Sequence, residues 1–221
     1  MKTPAKKFEM SEDNLLLLCQ IFHPENEWGS KKWYKYDKSN GRRRYEPDVH
    51  SDDKKIIFEY EGPAHYGNVW KIQKDNQRKK WFEKEGYTFH RWPYYCQLTR
   101  DVAKYFFKDA FTEKKYLEAL KDIYKCDEEK DILGPGFHST QNTPANFSQA
   151  GSNRFIEELD TFPSSLKIQV VNSLKLYIKA RDRHLVVPDT QSYHSLLNTK
   201  CPSKYLNYYY HRKDDGVITL V

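Results

Sequence analysis

Apolar residues recur at helical spacing in Glu12 to Phe22, where Leu15, Leu18, Cys19 and Phe22 fall on one side behind Ser11, a good N-cap. His23-Pro24 ends that helix. Trp28 to Tyr36 is aromatic and basic, and Ser39-Asn40-Gly41 is a turn signal before Arg42-Arg43-Arg44. The pattern then changes to strands. Arg44 to His50 and Lys55 to Gly62 carry β-branched and aromatic residues around the polar turn Ser51-Asp52-Asp53-Lys54, which predicts an antiparallel hairpin. Val69 to Lys84 predicts a helix stopped by Gly86, and Tyr87 to Arg91 a short strand before Pro93. A strand, a crossover helix and a returning strand favour a right-handed unit, so Tyr87 to Arg91 should lie parallel to the second hairpin strand. The expected fold class is therefore α/β, a mixed β-sheet flanked by helices.

Thr99 caps a further helix to about Ala110, and Glu113 to Lys125 puts Tyr116, Leu117, Leu120, Ile123 and Tyr124 on one side. These two helices are expected to cover the sheet. Residues 131–152, with Gly134-Pro135-Gly136 and many Ser, Asn, Thr and Gln, read as a loop or linker between a core of residues 1–130 and an additional C-terminal segment, 153–221. That segment offers a helix from Pro163 to Arg181 with Leu166, Val170, Leu174 and Ile178 inward. A final hairpin turned by Asp214-Asp215-Gly216 follows it.

Composition alters this picture modestly. Over 221 residues, 37 Lys and Arg against 31 Asp and Glu leave a formal charge of +6, beside 15% aromatic residues. A basic, aromatic chain leans toward a nucleic-acid partner. Cys19, Cys96, Cys126 and Cys201 are scattered without metal spacing, which fits reduced thiols. Residues 1–10 lack the apolar core of a signal peptide, and the longest apolar run, Leu15 to Leu18, cannot span a bilayer. A soluble, cytoplasmic protein with no membrane partner is expected.

The chemistry concentrates on the hairpin. Glu59 and Glu61 are two apart on a strand, so they share one face with Ile57. If the turn pairs His50 with Lys55, Asp48 lies opposite Ile57 and diagonal to Glu59, at a Cα spacing of roughly 7–8 Å. Carboxylates so crowded raise one another's pKa unless a cation neutralises them. Magnesium, bound by one or two carboxylates with waters and a substrate phosphate, suits Asp48, Glu59 and Glu61. An acidic pair on a strand is otherwise most often a solvated face.

Glu46-Pro47-Asp48, ten intervening residues and Glu59-Tyr60-Glu61-Gly62 resemble the motif of the PD-(D/E)xK nuclease superfamily. The stretch Tyr45 to Val49, then Ile57 to Pro63, His65, Asp75, Arg78, Gly86-Tyr87 and Arg91 is similar to the branch of very-short-patch-repair-type endonucleases, over about Glu12 to Trp92. Glu61 stands where most of the superfamily has a catalytic lysine. The resemblance implies a restriction-endonuclease-like core and magnesium-dependent hydrolysis of phosphodiester bonds in double-stranded DNA. Asp48 and Glu59 would ligate the metal, Glu61 would complete the site or accept a proton, and His65 would bind phosphate or protonate the leaving oxygen.

Lys71 and Lys74 would supply positive charge, and Glu12 would hold a metal-bound water. Arg42, Arg43 and Arg44 suit phosphate contact, against the blander reading of a charged strand start. Asp75 and Arg78, three apart on a helix, read as a surface ion pair. A type II restriction endonuclease is the first expectation, a nicking repair enzyme the second, and a catalytically impaired DNA-binding subunit comes from a different class; RNA as substrate is weaker. A symmetric dimer would present two sites to a palindrome, and sequence alone leaves monomer or dimer open.

Overall fold

The computed structural model describes residues 10–36, 44–125, 134–137, 147–182, 210–212 and 218–220. In chain order its elements are α1 (Glu12–Phe22), β1 (Trp28–Gly29), β2 (Tyr34–Lys35), β3 (Arg44–Tyr45), β4 (Val49–Ser51), β5 (Ile56–Glu61), α2 (Ala64–Gly67), α3 (Val69–Lys84), β6 (Thr88–Pro93), α4 (Arg100–Phe107), α5 (Glu113–Ala119), α6 (Gln149–Thr161), α7 (Ser164–Asp182), β7 (Tyr210–Arg212) and β8 (Ile218–Leu220). They form two compact units, one of Met1–Glu61 with Lys74–Leu133, the other of Gly62–Gln73 with Gly134–Val221. No helix among the described residues is long and apolar enough to cross a membrane.

The first unit is a mixed four-stranded sheet in the order β1-β4-β5-β6, flanked by helices. β4 and β5 run antiparallel, and β6 returns parallel beside β5, as expected of the crossover through α3. Gly86, at φ 84°, ends that crossover in the left-handed region, where a side chain would be strained. One sheet face carries Phe58, Tyr60, His90 and Trp92 and is covered by α1 and α4. There Phe22 stacks on Phe107 at 4.1 Å and Trp92 on Phe106 at 4.3 Å. The chain entering α1 is fastened to this face. Met10 donates its N–H to Gln97 Oε1 at 2.6 Å and accepts the Tyr60 hydroxyl on its carbonyl at 3.0 Å.

The other face holds Ile57, Phe89, Glu59, Arg91 and Glu61, and α3 lies against it. Ile57, Phe82 and Tyr87 form its apolar end, with Tyr34, Tyr45, Trp81 and Phe89 packed around them.

The expected strand Arg44 to His50 is interrupted. Pro47 has no N–H to give a ladder, so Arg44–Tyr45 pairs instead with Tyr34–Lys35 in a separate ribbon and Val49–Ser51 alone joins the sheet. The hairpin register also differs, for Ser51 pairs with Ile56 and Val49 with Phe58. The turn is thus Asp52 to Lys55, with Lys55 at φ 56°. Side chains set it: the Ser51 hydroxyl donates to Asp53 Oδ1 at 2.5 Å, and Asp52 accepts the hydroxyls of Tyr34 at 2.6 Å and Tyr87 at 2.7 Å. Continuing the ladder one step sets Asp48 opposite Glu59, not Ile57. β1, which the sequence pattern did not separate from its aromatic surroundings, extends the sheet by pairing Trp28 with Ser51.

Ser11 has the extended backbone of an N-cap but makes no side-chain capping bond. Thr99 does cap α4, accepting from the Val102 N–H at 3.4 Å. Leu117 is 42% exposed; Tyr116, Ala119, Leu120 and Tyr124 face inward as α5 passes into a π-helical turn at Leu120–Tyr124.

In the second unit, α6 begins at Gln149, inside the stretch expected to be loop to residue 152, because Ser148 caps it by accepting the Gly151 N–H at 3.1 Å. Gly151 is required there: a Cβ would stand 1.8 Å from the Tyr66 carbonyl oxygen of α2. Tyr66 donates its hydroxyl to Glu158 at 2.7 Å and stacks on Phe147 at 4.8 Å. Leu166, Val170 and Leu174 of α7 are buried as expected. Ile178's side chain and the turn at Asp214-Asp215-Gly216 lie outside the described residues, though β7 and β8 pair antiparallel on either side of that turn.

Phe82 is fully buried and touches both the sheet and the β2–β3 ribbon. Phe82→Ala should therefore destabilise the protein by about 3–5 kcal/mol in urea unfolding; a loss below about 1 kcal/mol would mean that α3 is not seated through this ring.

Candidate metal centre

The acidic face is assembled by one helix crossing one strand in the opposite direction. Along β5, Ile57, Glu59 and Glu61 point to one side over about 13 Å. Along α3, Phe82, Arg78 and Asp75 form one stripe over about 10 Å. Phe82 belongs to the Ile57 cluster, Arg78 Nη2 lies 2.8 Å from Glu59 Oε2, and Asp75 and Glu61 place carboxylate oxygens within 4.8 Å of each other. The two stripes thus match apolar to apolar, cation to anion, and finally anion to anion.

Asp75 is buried, and Arg78, at 17% side-chain exposure, is largely so; their 3.4 Å contact is not the surface ion pair expected from spacing. It is part of the site. Arg91, on β6, adds a second guanidinium: its Nε is 3.4 Å from Glu61 Oε1, and its Nη2 donates to Asn76 Oδ1 at 3.0 Å.

Asp48 enters from the chain just before β4. Its Oδ2 accepts the backbone N–H of Tyr60 at 2.7 Å, beyond the last ladder pair, which fixes the carboxylate beside Glu59. Burial pushes the Asp48 carboxyl up to about 6; the Tyr60 N–H and Arg78 oppose this, while Glu12 and Glu61 add to it. Burial likewise drives Glu59 well above the usual carboxylate range, against Arg78 and with the charges of Asp48, Glu61 and Asp75. Glu59 Oε1 is buried with no hydrogen-bond partner among the described residues.

Four carboxylates, Asp48, Glu59, Glu61 and Asp75, therefore outnumber the guanidiniums of Arg78 and Arg91 by two. A buried carboxylate oxygen without a donor, beside further carboxylates, is what a hard, oxygen-seeking cation satisfies. Of the four, Glu61 and Asp75 bring their carboxylate oxygens close enough to share one ion. Glu12, exposed at the start of α1, lines a cleft of about 490 Å³ together with Asp13, Glu46 and Asp48, and its charge reaches Asp48.

The remaining expected site residues are placed as follows. His65 and Lys71 belong to the second unit, where His65 is buried in α2 and its carbonyl accepts from Arg154 Nη1 at 3.3 Å. Lys74 is exposed on α3. Arg44 is exposed on β3, and Arg42 and Arg43 lie outside the described residues. Sequence reasoning gave Arg91 no role at the site. The signal available was its place on a strand parallel to β5, which makes it the register partner of Glu59.

Two outcomes test the site. Asp48 keeps its proton to higher pH in the folded state than in the unfolded chain, so its contribution to stability is complete below about pH 4 and is lost as pH rises through 6. His90, which burial lowers to about 4, acts in the opposite sense over the same window. The magnesium-induced rise in thermal midpoint separates them: it should be small at pH 5 and larger at pH 7.5, and Asp48→Asn should reduce that difference, leaving the part due to Glu59. An increment independent of pH in the wild type excludes Asp48 as a ligand. For Arg78→Met, the metal-free protein should lose about 3 kcal/mol, since one member of a buried pair is left alone. Its magnesium-induced stabilisation should nevertheless exceed that of the wild type, because a competing cation has gone; equal or smaller stabilisation places the metal away from Glu59.

No family model, curated protein or solved structure matches this chain, so the reading of the site rests on its own residues.

Proposed function

We propose that this protein is a magnesium-dependent endonuclease with a restriction-endonuclease-like core, hydrolysing phosphodiester bonds in double-stranded DNA, and that its role is that of a type II restriction enzyme. The observation that carries the reading is the placement of Asp48. The Pro-Asp element and the Glu-x-Glu strand, ten residues apart in the chain, are joined by the bond from the Tyr60 N–H to the Asp48 carboxylate, with Glu59 and Glu61 on the adjoining face.

In this reading Asp48, Glu59 and Glu61 would hold magnesium, which when bound would supply Lewis-acid activation of the phosphate and of a water. Arg78 orients Glu59, and Arg91 orients Glu61. Neither guanidinium can serve as general base, because it does not release its proton in a protein. Glu61, which stands where the resembled family has its lysine, is the proton acceptor in this reading.

A second reading, a DNA-binding subunit without cleavage, is favoured by one observation. The position of the missing lysine is taken by an acid, and the nearby positive charge comes from arginines on other elements.

Incubation with several unrelated duplexes, with and without magnesium, decides between the readings. Discrete magnesium-dependent fragments are expected, and Glu59→Gln should slow their formation about a hundredfold or more, the scale of losing a positioned charge-stabilising or acid–base group. Nicks in one strand alone would shift the role to repair. Intact DNA under all conditions would leave the binding subunit.

A further inference from the structure

Residues 31–44 hold seven basic side chains, Lys31, Lys32, Lys35, Lys38, Arg42, Arg43 and Arg44, against one acid, Asp37. The described part of this segment is the β2–β3 ribbon, whose two faces differ sharply. Tyr34 and Tyr45, paired across the ribbon, turn toward α3: the Tyr34 ring is 5.1 Å from Phe82 and the Tyr45 ring 5.7 Å from Trp81. By strand alternation the next pair, Lys35 and Arg44, faces the other way, and both are exposed. Trp33 lies beside them, 50% exposed, with the Arg44 guanidinium 3.8 Å from its ring centroid.

The half-exposed ring offers its face to the guanidinium. Here it stacks a cation that no carboxylate pairs among the described residues, whereas Lys32 is taken up by Asp52. A guanidinium laid on an indole keeps its N–H edge free and loses little further freedom on binding, which suits bidentate contact with a phosphate. The ribbon also borders the acidic face, since Tyr45 lies close enough to Arg78 for its hydroxyl to feel that charge.

We propose that the outward face of the β2–β3 ribbon is a phosphate-backbone contact for duplex DNA, in which Arg44 touches the phosphate and Trp33 is the positioning residue that holds Arg44 in place. The inference rests on the reading of the chain as a DNA-cleaving enzyme and adds to it a surface, apart from the carboxylates, that holds the duplex backbone. A basic segment opposite a polyanion, next to an acidic site that by itself repels phosphate, makes the complementarity necessary as well as available.

Binding of a fluorescently labelled duplex in EDTA tests the ribbon independently of cleavage. Arg44→Ala should weaken binding about tenfold and reduce the slope of log affinity against log salt by about 1, as loss of one phosphate contact requires. Arg44→Lys should keep the slope and lose part of the affinity. Trp33→Ala should lower both, and Trp33→Phe should restore both, with thermal midpoints of all variants near that of the wild type. If the wild type binds and none of these substitutions moves affinity or slope, the ribbon proposal is overturned and the nuclease reading stands. If the wild type fails to bind duplex DNA at low salt, both fall.

Discussion

The 2.8 Å contact between Arg78 and Glu59 is the interaction on which the acidic face depends. Glu59 is 2% exposed in its side chain and sits in the middle of a central strand, where an unpaired carboxylate would be expelled or neutralised by a proton. Arg78 reaches it only because α3 crosses β5 in the reverse direction, with Phe82, one turn later in the helix, seated against Ile57. Apolar packing thus supplies the alignment that the charges need. At the next step Asp75 shares Arg78 at 3.4 Å, and Glu61 meets Arg91 of β6 at the same distance.

That arrangement neutralises the site incompletely. Arg78 and Arg91 approach Glu59 and Glu61, yet the carboxylates remain in excess and Glu59 Oε1 is left without a donor among the described residues. A sheet built for stability alone would place aliphatic side chains at these positions, since a buried ionic cluster seldom stabilises more than packed hydrocarbon does. Burial, which no apolar side chain at these positions would oppose, holds the Asp48 and Glu59 carboxyls above the usual carboxylate range. The same helix also seats the β2–β3 ribbon through Trp81 and Phe82. The surface proposed to meet DNA and the carboxylates proposed to cleave it are therefore referred to one rigid element.

Local signals along the chain were sufficient for much of this architecture. The periods of α1 and α3, the stop at Gly86 and the β, β, α, β order needed only backbone preferences and the handedness of crossovers, so Glu12–Phe22, Val69–Lys84 and the parallel β5–β6 pairing agree with expectation. The common face of Glu59 and Glu61 followed from the strand period alone. Tertiary contacts decided what local rules leave free. The register that sets Asp48 opposite Glu59 comes from Tyr34 and Tyr87 holding Asp52, residues 18 and 35 positions away. Whether Asp75 and Arg78 face water or the sheet is settled by what covers α3, and a helical spacing of three does not encode its neighbour. Arg91 belongs to the same class: it joins β6 to β5, and the packing of Phe82, Tyr87 and Ile57, rather than any local propensity, brings those elements together.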